Sequence, residues 1–97
     1  MNNVDRINSH WREMQSLSDR KIIGFAEHHP KVKTILRAGH GGKIIYYIPT
    51  DQYDFVLTEH LSNQSRNIYR RTGMSIDLLQ TTQRLIDPRA EVIYKAA

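Results

Sequence analysis

Apolar residues near the amino terminus recur at alternating intervals of three and four: Val4, Ile7, Trp11 and Met14. That spacing is the seam of an amphipathic helix and predicts a first helix over residues 3–16. Two heptads are too few for a coiled coil, so the seam is assigned to core packing. Ser18 before Asp19 reads as a helix start, with the acid at the positive end of the dipole. A second helix follows, with Ile22, Ile23, Phe25 and Ala26 inward. It ends before Pro30, because the residue preceding a proline avoids helical angles. Pro30 then opens a short third helix, with Val32, Ile35 and Leu36 inward, Lys31, Lys33 and Arg37 outward, and Gly39 as its stop.

The pattern changes at Lys43. Residues 43–48 form a β-branched and aromatic run ended by Pro49, and predict a strand on which Tyr46 and Tyr47 point to opposite sides. Residues 51–61 satisfy two periods. Tyr53, Val56, Leu57, His60 and Leu61 match helical spacing, while Tyr53, Phe55 and Leu57 alternate as in a strand. Thr50 as N-cap, with Asp51 behind it, favours the helix. After Asp87-Pro88 breaks the preceding pattern, residues 91–95 predict a second strand. Two strands alone are marginal, so helices must cover them or a second subunit extend them.

Residues 62–86 carry the strongest functional signal. They read as two helices hinged at Thr72-Gly73-Met74-Ser75, where Gly73 suits a left-handed turn and Ser75 an N-cap. Helix, short glycine-containing turn and helix is the plan of a DNA-reading helix-turn-helix. In its second helix Leu78, Leu79, Thr82, Leu85 and Ile86 share one face, leaving Asp77, Gln80, Thr81 and Arg84 on the other. Gln80, Thr81 and Arg84 have the chemistry to read base edges, and Arg66, Arg70, Arg71 and Lys43 that to hold phosphates. Tyr69 and Thr72 depart from the residue types this motif favours, and Asp77 would repel phosphates. The alternative is a packed helical hairpin with a polar outer face.

The predicted fold is thus α+β and mostly helical: about five short helices, a two-stranded β element at 43–48 and 91–95, and the helix-turn-helix-like hairpin at 62–86. At 97 residues the chain is expected to be a single domain, with a modest core that would gain from homodimerisation. Its hydrophobic fraction of 39% and charged fraction of 25% are those of a globular protein rather than a disordered one. No apolar run approaches the roughly 20 residues that span a bilayer, and no signal core follows the first methionine. The expectation is a cytoplasmic protein without membrane contact.

The net charge of +4 matters through its distribution. No acid lies between His28 and Thr50 or between His60 and Ile76, and both stretches carry lysines or arginines. Absence of cysteine excludes disulfides, thiolate catalysis and cysteine-based zinc sites. The histidines show no metal-ligand spacing, since His28 and His29 are adjacent and His10 with Glu13 is only a pair. The run from Gly39 to Lys43 lacks the spacing of a phosphate-binding loop and reads as a turn, from which His40 and Lys43 could touch phosphate. No nucleophile-and-base grouping is visible, and no enzyme activity, metal or cofactor is expected. Two partners fit. The first is duplex DNA, bound by a small transcriptional or phage-type regulator. The second is an acidic or nucleic-acid-binding protein, bound by an inhibitor or adaptor module. Single-stranded nucleic acid, stacked on Tyr46 or Tyr47, is a third option.

Overall fold

The amino-terminal helix α1 (Asn3–Glu27) runs unbroken in the computed structural model, which describes the backbone of residues 3–40 and 42–97 and the side chains of residues 9–39, 42–82 and 84–97. Its inward stripe passes through Trp11, Met14, Ser18, Ile22 and Ala26 in steps of three and four. Ser18 is therefore not a cap between two helices. It occupies a stripe position at which a small polar residue is fully buried, 0% exposed, and the helical period continues through it. Of the predicted seam, Val4 and Ile7 lie outside the described side chains, as does His40.

The predicted third helix is instead β1 (Thr34–His40), and the predicted strand after it is β2 (Lys43–Pro49). The two pair antiparallel from Leu36 opposite Tyr47 to His40 opposite Lys43. Val32 and Ile35 are buried as the helical reading required, but Val32 precedes the strand and Ile35 lies on its core face, so the two share no helical period. Arg37, assigned outward by the helical period, lies on the same face of the sheet as Tyr46, its cross-strand partner. In the turn, Gly42 has φ +78°, a conformation glycine adopts without penalty.

Helix α2 (Phe55–Thr72) follows. Asp54 rather than Thr50 is its N-cap, its carboxylate accepting from the Leu57 N–H at 3.0 Å. Leu57, Leu61 and Ile68 are buried, while Tyr53, Val56 and His60 of the predicted apolar stripe are exposed. Gly73 ends α2 in the left-handed conformation, φ +73°, and its N–H donates to the Tyr69 carbonyl at 2.8 Å. Thr72 supports the same end, its hydroxyl donating to the Ile68 carbonyl and accepting from the Met74 N–H.

Beyond Gly73 the helix-turn-helix reading fails. Residues 76–81 form a strand, β3 (Ile76–Thr81), parallel to β2 from Ile44 opposite Ile76 to Pro49 opposite Thr81. Parallel neighbours need a crossover, and α2 supplies it. A single 3₁₀ turn (Gln83–Leu85) and β4 (Glu91–Lys95) complete the chain. The sheet order is β3-β2-β1-β4. The predicted strands 43–48 and 91–95 are both present but do not pair with each other, since each flanks β1. The described residues thus hold two α-helices over a four-stranded mixed sheet, not about five helices beside a two-stranded element.

Both helices cover one face of the sheet. Ile35, Ile44, Tyr46, Ile48 and Ile76 meet Ile22 and Ala26 of α1 and Leu57, Leu61 and Ile68 of α2 in one core. The other face carries Leu36, Ala38, Ile45, Tyr47 and Leu79. Residues 82–90 connect the two sheet edges. Within that connection Ile86 and Pro88 line a groove of about 530 Å³ with Leu36, Pro49 and Val92. No described helix is long and apolar enough to cross a membrane.

Candidate docking surface

Gln80 sits near the end of β3 on the face turned to α2. Its Oε1 accepts from the Asp54 N–H at 3.1 Å and the Thr50 hydroxyl at 3.2 Å. Its Nε2 donates to the Asp54 carbonyl and to the Thr58 hydroxyl, both at 2.6 Å. An amide side chain offers two donors and two acceptor sites, and all four are engaged. Gln80 therefore fastens the head of α2 to β3. On the cap itself, Lys31 pairs with Asp54. That hydrogen bond, then the one from Leu57, holds the Asp54 carboxyl below the usual carboxylate range.

The other predicted reader residues are not on a helix with it. Thr81 ends β3 opposite Pro49, its carbonyl accepting from the Thr50 N–H at 3.1 Å. Arg84 lies exposed on the 3₁₀ turn beyond. Of the predicted phosphate contacts, Lys43 bridges to Asp77 at 3.1 Å between neighbouring strands. Arg66, Arg70 and Arg71 are exposed on α2, with Arg66 bonded to the Asn63 side chain. Among the described residues no carboxylate stands within ion-pair distance of these three. Arg70 and Arg71 occupy the last turn of α2, where cations favour the helix dipole. Because α2 and β3 run in opposite directions, this end of α2 lies over the start of β3 and Gln80 lies at the other end. Recognition residues and phosphate holders are thus separated along the strand.

Two polar groupings were not visible in the sequence. Under α1, the Tyr46 hydroxyl donates to Asp19 at 2.6 Å and lies 2.8 Å from the Ser18 hydroxyl, which then donates to it. Arg37 pairs with Asp19 and, at 2.8 Å, with Glu91. Burial, reinforced by the hydrogen bond to Asp19, pushes the Tyr46 phenol well above its ordinary pKa. This network ties α1, β1, β2 and β4 together. Between the helices, His29 Nε2 lies 3.3 Å from His60 Nδ1, while His29 Nδ1 is buried without a hydrogen-bond partner. A metal on His29 Nε2 would oblige Nδ1 to carry its proton without an acceptor, which opposes ligation. No third ligand joins the pair among the described residues.

Large apolar and aromatic side chains are also outward. Phe55 is 78% exposed, Tyr69 58% and Tyr53 57%. Tyr53 and Phe55 stack edge to face with centroids 4.8 Å apart, and the Tyr53 hydroxyl accepts from Thr58, itself bonded to Gln80. The aromatic pair therefore stands beside the end of β3. Tyr69 lies one helical turn beyond Ser65, whose hydroxyl donates to the Ile76 carbonyl at 3.1 Å, so it stands beside the start of β3. Tyr53 and Phe55 were legible only as an ambiguous pattern, and nothing local marks them as outward.

No protein-family model matches the chain, and no curated protein matches it either. Among solved structures, a chain in the complex of the tri-AMPylated Shewanella oneidensis HEPN toxin with the MNT antitoxin is similar, with a TM-score of 0.57 and 15% sequence identity. The match covers 84% of this chain and 73% of that one, and at this identity the likeness is one of fold.

Proposed function

We propose that the protein is a protein-docking module, an inhibitor or adaptor that binds a larger partner. The observation that carries this reading is the exposure of Phe55, Tyr53 and Tyr69 along one flank of α2. Large aromatics left in water are the residues that anchor protein interfaces when a partner desolvates them. The toxin–antitoxin complex that contains the similar fold supports the same reading, because that complex is an assembly of two proteins. A helix-turn-helix reader is not proposed, since residues 76–81 form a strand and Gln80 is fully engaged inside the fold. The arginines of α2 retain the chemistry to meet phosphate, so the test must separate the two partners. Tagged protein is incubated with nuclease-treated cell extract and, separately, titrated with a random duplex pool at two salt concentrations. A protein partner that survives nuclease, without duplex binding at low salt, is the expected result. Retention that depends on nucleic acid would overturn it.

A further inference from the structure

The two edges of the sheet differ. At β4 the register slips between Ile35 and Leu36, so that Tyr94 and then Val92 stand opposite consecutive residues of β1 and Ile93 is extra. A bulge of this kind, with Glu91 and Lys95 at the strand ends, blunts an edge against further pairing. β3 has no register slip in its pairing with β2 and contains no proline. Its only charged residue, Asp77, is paired with Lys43.

The direction of the free main-chain groups follows from the ladder. Thr81 bonds inward to β2 through its carbonyl. Alternation along a strand then turns the N–H and C=O groups of Thr81, Leu79 and Asp77 toward β2, and those of Leu78 and Gln80 away from it. No hydrogen bond among the described residues reaches these outward groups of Leu78 and Gln80. The exposed aromatics border the same edge, Phe55 and Tyr53 near Gln80 and Tyr69 near Ile76. Arg66 and Arg70 follow on the next row of α2, without carboxylate partners among the described residues.

We propose that the β3 edge is a strand-addition site for an extended, acid-bearing segment of a partner protein. This rests on the protein-docking reading and names where and what it docks. The segment's main chain pairs with Leu78 and Gln80, its apolar side chains pack on Phe55 and Tyr69, and its carboxylates meet Arg66 and Arg70. Charge makes a second copy of this chain the poorer fit in the same place. A two-fold pairing of β3 with itself would set both α2 helices antiparallel on one side of the joined sheet, each bringing three exposed arginines, Arg66, Arg70 and Arg71, against one exposed acid, Glu59.

The test uses the whole protein and a displayed library of random linear peptides. Selected peptides are expected to carry Asp or Glu beside alternating apolar residues. On binding they should slow amide hydrogen exchange at Leu78 and Gln80. The double variant Arg66→Glu/Arg70→Glu, altered only at exposed positions, should weaken binding about tenfold or more. Peptides that bind but leave the Leu78 and Gln80 amides unprotected would overturn the site while leaving a docking function intact. Failure to select any peptide would also overturn it, and the nuclease-treated capture decides separately whether the protein docks on proteins at all. Equal loss of peptide and duplex DNA binding in the variant would assign the arginines to general anion contact instead.

Discussion

The side chain of Gln80 on β3 grips the main chain of Asp54 at the head of α2, donating to its carbonyl at 2.6 Å and accepting from its N–H at 3.1 Å. Between these residues lie the whole of α2, the turn after it and most of β3, so one amide fixes the start of the crossover to the end of the strand it leads to.

Replacing Gln80 by alanine should therefore destabilise the fold rather than only alter a surface. It strands partly buried backbone groups of Asp54 at about 1–3 kcal/mol in total. Urea unfolding should show a lower midpoint with an unchanged slope. Stability equal to the parent would show that the clamp does not form.

Tyr46→Phe removes the hydroxyl that joins Ser18 and Asp19 and leaves a fully buried serine oxygen without its partner. A loss of about 1–3 kcal/mol is expected in the same assay.

The pH dependence follows from the same phenol. Its folded pKa is raised, so the protonated form is favoured by folding. Its contribution is fully present below the ordinary tyrosine value of about 10 and is lost as pH rises beyond it. Asp54 acts in the opposite sense, its folded pKa being lowered by Lys31 and Leu57. Its contribution is present above the usual aspartate value of about 4 and is lost as pH falls through the lower folded one. Thermal unfolding from acid to alkaline pH should show both declines. Tyr46→Phe should flatten the alkaline limb, and Asp54→Asn the acid one.

Gly73 has φ +73°, and an added Cβ would meet no atom within 4 Å. The penalty of Gly73→Ala is then one of backbone conformation alone, about 1–2 kcal/mol. Gly24, with equally open space around a missing Cβ but a helical backbone, should gain slightly from alanine. Opposite signs for the two variants in calorimetry are the expected outcome.

Some local signals in the sequence held, but the capping signals at Ser18, Thr50 and Ser75 did not. Residues 43–48 and 91–95 are strands, and Gly73 is a left-handed helix end. Ser18 misled because its capping chemistry was local while its buried partner, Tyr46, lies on β2. Residues 32–36 fitted a helix because Val32, Ile35 and Leu36 satisfy that period, and pairing with both β2 and β4 decided for a strand from Thr34 onward. The same holds for residues 76–81. Leu78 and Leu79 suit a helical face, yet the long-range ladder with β2 sets their conformation. With β3 a strand, the base-reading row of Gln80, Thr81 and Arg84 dissolves. The arginines of α2 keep their exposed positions, but the aromatics beside them become visible only once α2 is packed.

The central claim, docking on a protein through the aromatic flank of α2, is tested most directly by capture from nuclease-treated extract with two forms of the protein. The parent should retain a defined protein partner, and Phe55→Ser/Tyr69→Ser should lose it while unfolding at the same temperature, since both side chains are exposed. Equal retention by both forms, or retention by the parent only while nucleic acid is intact, would contradict the account.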